Sequence, residues 1–274
     1  MGALQQDTAI VRDGERLTAQ LSRDWNIWGP NGGYVSAIAL RAAGAVVPPD
    51  HRPATLSVQY VSPGAFEAAD CQVVVVKRGR NAWLLNVALV QNGRTFLQAQ
   101  VWTTNKAEGP TALEAVMPQV APPAELKTVA EHLGDNAHQL DGFWRNLDCK
   151  PLVWIPWGEP RPPGAVLQEW HRFVGYQGDE NDPFLDACRP LILTDTLIWP
   201  THHRGLKDRP DYVAPSLDLT VWFHDRGGAS DWLFVDCVAD VAASGLIHGR
   251  ARVWSEDGRL LATGGSNLMH VARS

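Results

Sequence analysis

The order of secondary-structure signals repeats once along the chain, and this repeat constrains the fold more than any other feature. In each half, one apolar helix is followed by strands separated by short turns, which predicts a helix and an antiparallel meander. The strand segment 56–58 of the first half corresponds to 217–219 of the second, and the turn 91–94 corresponds to 256–259. Two copies of one unit indicate an internal duplication.

Hydrophobic periodicity and turn residues place the individual elements. Asp13-Gly14 predicts a hairpin turn, and residues 25–31 a loop. The predicted helices are 32–46, stopped by Pro48-Pro49, and 183 to about 199, which begins after the N-cap Asp182 and ends at Pro200. The predicted strands are 55–61, 71–77, 82–91 and 95–103 in the first half, and 216–224, 232–241, 246–255 and 259–271 in the second.

Proline divides the chain, because nine of its nineteen prolines lie between Pro110 and Pro163. We therefore predict an N-terminal unit over 1–109, a Pro-rich connection over 110–165 and a C-terminal unit over 166–274. Trp144, Trp154 and Trp157 predict that the connection packs against the folded units. The chain has twelve tryptophans in all, which indicates broad apolar surfaces to be filled.

Composition excludes several function classes. A net charge of -6 argues against nucleic-acid binding, which needs a basic surplus. The four cysteines form no CxxC pair or Cys/His cluster, so we expect reduced thiols, no metal site and a cytoplasmic location. No apolar run approaches the roughly 18 residues of a membrane helix, and no targeting segment is recognisable, so we expect no membrane insertion.

The second predicted helix carries the sharpest anomaly. Asp195 falls on an apolar stripe that includes Phe184, Cys188 and Leu191, so its carboxylate is expected to face the sheet. One interpretation is a carboxylate satisfied by the backbone or by a neighbouring threonine. The other is a partly desolvated general base with a raised pKa.

Other candidate groups are weaker on their own. The strand 216–224 alternates, with Ser216, Asp218, Thr220, Trp222 and His224 on one face that either meets solvent or lines a pocket. Gly32-Gly33 opens the first helix with free N–H groups that favour an anion, although close helix packing also explains it. Lys77, Arg78 and Arg80 form a basic turn that either binds phosphate or is a solvated hairpin tip.

Taken together, four segments resemble the acyl-CoA thioesterase-II-like, double hot-dog family. They are Asn31-Gly32-Gly33-Tyr34 at the start of an Ala-rich helix, 61–64 at the end of a strand, 216–224, and 256–262 near the end of the chain. The resemblance implies an α+β fold with two tandem hot-dog units, each a helix wrapped by an antiparallel sheet. It also implies hydrolysis of a fatty acyl-CoA thioester.

The resemblance assigns roles residue by residue. Asp195 matches the catalytic aspartate, Ser216 the hydroxyl residue that often is Thr, and Ser266 the position of a glutamine. Ser266 departs from the family because it offers no amide, so Asn267 or a second water would have to replace it. The implied mechanism is attack by a water that Asp195 activates, with backbone N–H groups such as those of Gly32 and Gly33 stabilising the oxyanion.

The remaining expectations concern the ligand and its rivals. Tyr34, Trp199, Asp218, Trp222 and Asn267 are candidates for contacting the substrate, with ordinary packing as the alternative for the aromatic ones. Lys77, Arg78 and Arg80 are candidates for the CoA phosphates. No cofactor is implied beyond the CoA of the substrate, and a homo-oligomer is implied by resemblance only.

The rival functions are a non-catalytic acyl-binding protein and, less favoured, an enoyl-CoA hydratase. Such a hydratase usually has an Asp and a His at a fixed spacing, which Asp218 and His224 do not match.

Overall fold

The computed structural model describes residues 1–273 except 111, 141, 157–158, 160–163, 180, 207–209 and 229, so Trp157 of the predicted connection lies outside the described residues. The helices are α1 Leu4–Asp7, α2 Gly32–Gly44, α3 Val129–Leu133, α4 Pro183–Thr196 and α5 Ile198–Arg204. The strands are β1 Val11–Asp13, β2 Arg16–Gln20, β3 Arg52–Tyr60, β4 Ala68–Arg78, β5 Ala82–Gln91, β6 Arg94–Thr104, β7 Leu147–Pro151, β8 Val166–Phe173, β9 Tyr212–Val213, β10 Asp218–Phe223, β11 Leu233–Ala243, β12 Leu246–Ser255, β13 Leu260–Met269 and β14 Val271–Ala272. Short 3₁₀ helices cover Arg23–Trp25, Pro123–Glu125, Gly134–Gln139 and Gly142–Asn146.

One large antiparallel sheet organises the molecule. Within the described residues it has twelve strands in the order β1-β2-β4-β5-β6-β3-β10-β13-β12-β11-β8-β7. The first six strands in this order come from the first half of the chain and the last six from the second. The halves join where β3 pairs with β10, with Asp218 opposite Gln59 and Trp222 opposite Thr55. This pairing closes one edge of each half-sheet.

The internal repeat extends further than the sequence indicated. Read from the two outer edges inward, the strands follow the same pattern, so β7 and β8 correspond to the β1–β2 hairpin. Strand β7 lies within the stretch 110–165 that was predicted as a connection, and it pairs with β8. The alternation of apolar and polar residues that marks other strands is missing in β8. The polar Glu169 and His171 point inward and the apolar Trp170 points outward, which is the reverse of the usual pattern.

Helices α2 and α4 pack against each other on one face of the sheet. Asn31 caps α2 by accepting a hydrogen bond from Tyr34 N at 2.9 Å, and Asp182 caps α4 by accepting from Leu185 N at 2.9 Å. Every residue of α4 from Phe184 to Thr196 is buried. The sequence predicted one buried apolar stripe along this helix, whereas the structure buries α4 on all sides.

The helices end earlier than predicted. Helix α2 ends at Gly44, not at Val46, and α4 ends at Thr196. Pro200 does not stop a helix, because it is the third residue of α5, where the missing N–H has no intrahelical acceptor to lose. The separation of α4 from α5 at Leu197 leaves Asp195 next to the last residue of α4.

Three of the twelve tryptophans lie together on the other face of the sheet. Trp170, Trp232, Phe234 and Trp254 form a second apolar cluster, separate from the core under the helices. Met117, Val120 and Leu126 of the Pro-rich stretch pack on it, which confirms that this stretch packs against the sheet. No helix in the described part of the chain is long and apolar enough to cross a membrane.

We predict that Gly264→Ala lowers the free energy of unfolding by about 1–3 kcal/mol, the usual effect of overpacking a close contact. A Cβ at this position of β13 would lie 2.5 Å from the Thr220 backbone oxygen and 2.8 Å from Thr194 Cγ2 of α4. Urea unfolding measures the loss. Gly109→Ala is the matched control, because nothing lies within 4 Å of the added Cβ. Equal unfolding midpoints for the two variants would contradict the proposed close approach of α4, β10 and β13.

Candidate active site

A cavity of about 780 Å³ lies where the amino end of α2, the carboxyl end of α4 and the seam between β3 and β10 meet. Its wall is mainly apolar and aromatic. Among its lining residues are Trp28, Val35, Phe96, Trp144, Trp199 and Leu268. Among its polar lining residues, Asp195, Tyr60 and Ser216 lie together at one place on the wall. An apolar cavity with a few convergent polar groups is the usual form of a small-molecule site.

Asp195 is the centre of the polar group. Its Oδ2 accepts a hydrogen bond from the Gly33 backbone N–H at 2.6 Å. Its Oδ1 accepts from Ser216 Oγ at 2.9 Å and from Tyr60 OH at 3.2 Å. Only 5% of the residue is exposed. The carboxylate of the second unit is thus held by a helix N-terminus and a strand end of the first unit, together with Ser216 of its own unit.

Burial raises the pKa of Asp195 above its ordinary value of 3.8, and the hydrogen bonds from Ser216, Gly33 and Tyr60 oppose that rise. Burial, with the Asp195 carboxylate as the next cause, also raises the pKa of Tyr60 well above its ordinary value. Tyr60 therefore remains a hydroxyl donor to the carboxylate. The Asp195 carboxylate is therefore a stronger proton acceptor than a solvated aspartate, and its orientation is fixed by its hydrogen bonds.

Sequence reasoning missed Tyr60. The signal was present, because Leu56, Val58 and Tyr60 alternate along β3 and the first two are fully buried in the core. Tyr60 is the last residue of that inward-facing row. Its Oη also lies 2.9 Å from Ser36 Oγ of α2, which ties the phenol to the helix above it.

Ser266 does not join Asp195. Its Oγ donates to the Asp218 backbone oxygen at 2.6 Å. Asp218 in turn accepts from Asn267, from the backbone N at 2.8 Å and from Nδ2 at 2.9 Å. In the described part of the chain, the hydrogen-bond partners of Asp195 are Gly33, Tyr60 and Ser216. The prediction that Ser266 or Asn267 completes the site is therefore corrected, because both are engaged with Asp218.

The two glycines of α2 have different roles. The Gly33 N–H already donates to Asp195, so it is not available to an oxyanion as predicted. The Gly32 N–H has no acceptor among the described residues. A Cβ on Gly32 would lie 2.7 Å from Asp195 Oδ2 and 3.1 Å from the Tyr60 hydroxyl, and a Cβ on Gly33 would lie 2.8 Å from Ile192 Cα. Both glycines are needed for the close approach of α2 to α4 and the carboxylate.

The sequence model of the acyl-CoA thioesterase N-terminal domain matches residues 21–104, and that of the C-terminal domain matches residues 122–265. The chain belongs to the acyl-CoA thioesterase family. The family predicted from the residues is thereby confirmed, as is the class of enzyme, a thioester hydrolase.

Individual relatives and solved structures agree. Acyl-coenzyme A thioesterase 8 of Mus musculus is 27% identical over 280 residues, covering 91% of this chain and 84% of that protein. A hot-dog-fold protein of Alicyclobacillus acidocaldarius superposes with a TM-score of 0.85 at 23% identity, covering 100% of both chains. An acyl-CoA thioesterase II of Mycobacterium marinum superposes with a TM-score of 0.78 at 19% identity, covering 99% of both. These two structures confirm the predicted double hot-dog fold.

Of the aromatic residues predicted to contact substrate, the structure brings one to the cavity of the thioesterase. Trp199 lines it. Tyr34 is fully buried and stacks on Trp25 with ring centroids 5.1 Å apart, so it belongs to the core. Trp222 is 48% exposed, because it points to the opposite face of β10 from the buried Leu219 and Val221. Tyr34 and Trp222 are therefore corrected to residues outside the cavity.

The basic turn also lies away from the cavity wall. Lys77 Nζ is 5.7 Å from the ring centroid of Trp102, and Arg78 Cζ is 5.2 Å from that of Trp83. Neither they nor Arg80 line the cavity of Asp195, whose described wall includes Arg273. The prediction that the turn binds CoA phosphates gains no support from this placement.

We predict that Asp195→Asn makes the protein more stable at pH 8, and that the gain shrinks as the pH falls. Since the pKa of Asp195 is raised by folding, the folded state binds its proton more tightly than the unfolded state. The stability that protonation contributes is lost as the pH rises from 3.8 through the raised pKa, and a neutral amide avoids this loss. Urea unfolding from pH 8 down to pH 3.8 measures the change in the free energy of unfolding.

Asp240→Asn is the matched control for this prediction, because it removes a partly exposed carboxylate that pairs with Arg250 at 3.1 Å. The Asp240→Asn variant should not show the pH-dependent gain in the free energy of unfolding that is expected of Asp195→Asn. A destabilised Asp195→Asn protein, or a change that is equal at every pH, would contradict the raised pKa.

Proposed function

We propose that the protein hydrolyses an acyl-CoA thioester to the free acid and CoA with a water molecule activated by Asp195. The observation that carries the proposal is a desolvated carboxylate that opens on an apolar cavity beside two hydroxyl donors. Membership of the thioesterase family supplies the reaction class. The geometry supports the assignment of roles within it.

Asp195 acts as the general base. Ser216 and Tyr60 donate to Oδ1 and Gly33 donates to Oδ2, so the remaining acceptor position of Oδ2 is the one that binds the attacking water. The water oxygen bonds to the thioester carbonyl carbon while its proton passes to Asp195. When the tetrahedral intermediate collapses, the carbon–sulfur bond breaks and the CoA thiolate takes that proton. Asp195 then returns to its ionised form.

The N–H of Gly32 stabilises the developing oxyanion. It is the first residue of α2, lies on the cavity wall and has no acceptor in the described part of the chain. The positive end of the helix dipole adds to its effect. Tyr60 is the third side chain of the proposed site, beside Asp195 and Ser216. The family resemblance had assigned that role to Ser266.

The cavity fits an apolar acyl group. Val35, Phe96 and Leu268 provide aliphatic and aromatic wall, and Trp28 packs edge-on against Trp199 with centroids 5.9 Å apart. A volume of about 780 Å³ is in the usual range for small-molecule sites. A cytoplasmic location, expected from the dispersed cysteines, belongs to the same proposal, as do a role in lipid metabolism and assembly into homo-oligomers, which the resemblance implies.

We expect Asp195→Asn to lower kcat for acyl-CoA hydrolysis by about 10²–10⁴-fold, the usual contribution of general base catalysis. The KM should change little, because the amide preserves the shape of the cavity. Release of free CoA thiol measures the rate with acyl-CoA substrates of several chain lengths. Asp240→Asn, on the exposed part of β11, should retain the wild-type rate.

An Asp195→Asn protein that keeps the wild-type kcat would disprove the role of Asp195. If wild-type protein binds acyl-CoA in calorimetry but releases no thiol, it is the non-catalytic acyl-binding protein. If it adds water to an enoyl-CoA without releasing thiol, it is the hydratase. Either result would overturn the proposed function.

A further inference from the structure

Three metal-ligating side chains meet at the outer edge of the C-terminal half, away from the cavity. Cys149 on β7 lies directly opposite His171 on β8, and Glu169 is two residues before His171 on the same face. Cys149 Sγ donates to Glu169 Oε2 at 3.1 Å, and Sγ lies 4.0 Å from His171 Nε2. His171 Nε2 lies 3.5 Å from Glu169 Oε2. The mechanism described above uses none of these three residues.

The burial of this cluster is unusual for such groups. His171 is 0% exposed and Glu169 is 8% exposed, while Cys149 is partly buried. A buried carboxylate and imidazole are costly unless they are paired or bind a metal. Nδ1 of His171 is buried and has no hydrogen-bond partner in the described part of the chain, so Nε2 is the ring atom that makes polar contacts.

Arg204 of α5 fixes the orientation of the carboxylate. Its Nη1 donates to Glu169 Oε1 at 2.8 Å, and its Nη2 donates to the Val153 backbone oxygen. With Oε1 engaged in this way, Oε2 is the oxygen that faces Cys149 and His171. A second hydrogen-bonded partner that orients a ligand carboxylate is a common feature of metal sites.

The spacing of the three ligand atoms fits a small divalent cation. A circle through atoms separated by 3.1, 3.5 and 4.0 Å has a radius of about 2.1 Å. Zinc bonds nitrogen and oxygen at roughly 2.0–2.2 Å and sulfur at about 2.3 Å. An ion close to the plane of the three atoms would therefore reach all of them without movement of β7 or β8.

We propose that Cys149, Glu169 and His171 bind one divalent transition-metal ion, with zinc the best match, and that a water completes the coordination. One thiolate, one imidazole and one carboxylate form a mixed donor set that suits zinc, whereas magnesium and calcium prefer oxygen ligands. Binding releases the thiol proton to solvent as the sulfur–metal bond forms. Because its ligands lie on both strands, the ion clamps the edge strand β7 to β8. The proposal departs from the expectation, drawn from sequence spacing, that the chain has no metal site.

The test uses the full chain without an affinity tag, stripped of metal with a chelator. Zinc is titrated in competition with a chromophoric chelator, and cobalt is titrated while the thiolate-to-cobalt absorption band is recorded. We expect one ion per chain, the cobalt band, and a higher melting temperature with zinc. Cys149→Ala and Glu169→Gln should each weaken zinc binding by at least about 100-fold, more than the 10–100-fold usual for loss of an outer partner.

Cys71→Ala is the matched control, since it removes a buried thiol from β4 in the other half of the sheet. It should retain the cobalt band and the zinc-induced rise in melting temperature. Circular dichroism of each metal-free variant verifies that it is folded. The proposal is overturned if folded wild-type protein binds no zinc at micromolar concentrations, or if Cys149→Ala and Glu169→Gln bind it as tightly as wild type. The cluster would then be a hydrogen-bonded network only.

Discussion

The antiparallel pairing of β3 with β10 brings together the groups of the candidate active site. The Tyr60 N–H donates to the Leu217 oxygen at 3.0 Å, so the end of β3 is fixed beside Ser216. Above this seam, Gly33 allows α2 to approach the backbone of α4 at Ile192. The carboxylate of Asp195 therefore meets donors from both units. Neither unit alone contains the complete site, which gives a physical reason for the two copies to remain in one chain.

The site works by a balance of opposing effects on one carboxylate. Burial raises the pKa of Asp195, while two hydroxyl donors and a helix N–H lower it. Full burial without these donors would keep the group protonated, and full solvation would leave it a weak base. A partly desolvated carboxylate of this kind lowers the free energy of unfolding when it is ionised, because its charge lies in an apolar setting. Such a cost is typical of groups that are positioned for chemistry.

The sequence was sufficient for features that depend on local periodicity and for those carried by the family resemblance. The duplication, both long helices and the placement of Asp195 beside Ser216 are of this kind. Tyr60 was missed because its contact with Asp195 depends on which strands form the seam. The face of β10 that turns inward depends on the same pairing, so Trp222 was misplaced. Ser266 was assigned to the site by position, whereas its hydroxyl is used by the Asp218 backbone.

The pH dependence of kcat/KM in wild type and Tyr60→Phe tests whether Asp195 is the general base and whether Tyr60 lowers its pKa. The phenol lowers the pKa of Asp195, and removing it leaves burial less opposed. We expect an acid limb above pH 3.8 in the wild type, where the rate falls as Asp195 takes up a proton. In Tyr60→Phe, we expect this limb to be displaced to higher pH. An identical limb in the two proteins, or no acid limb in the wild type, would contradict the assignment of Asp195 as the base that Tyr60 tunes.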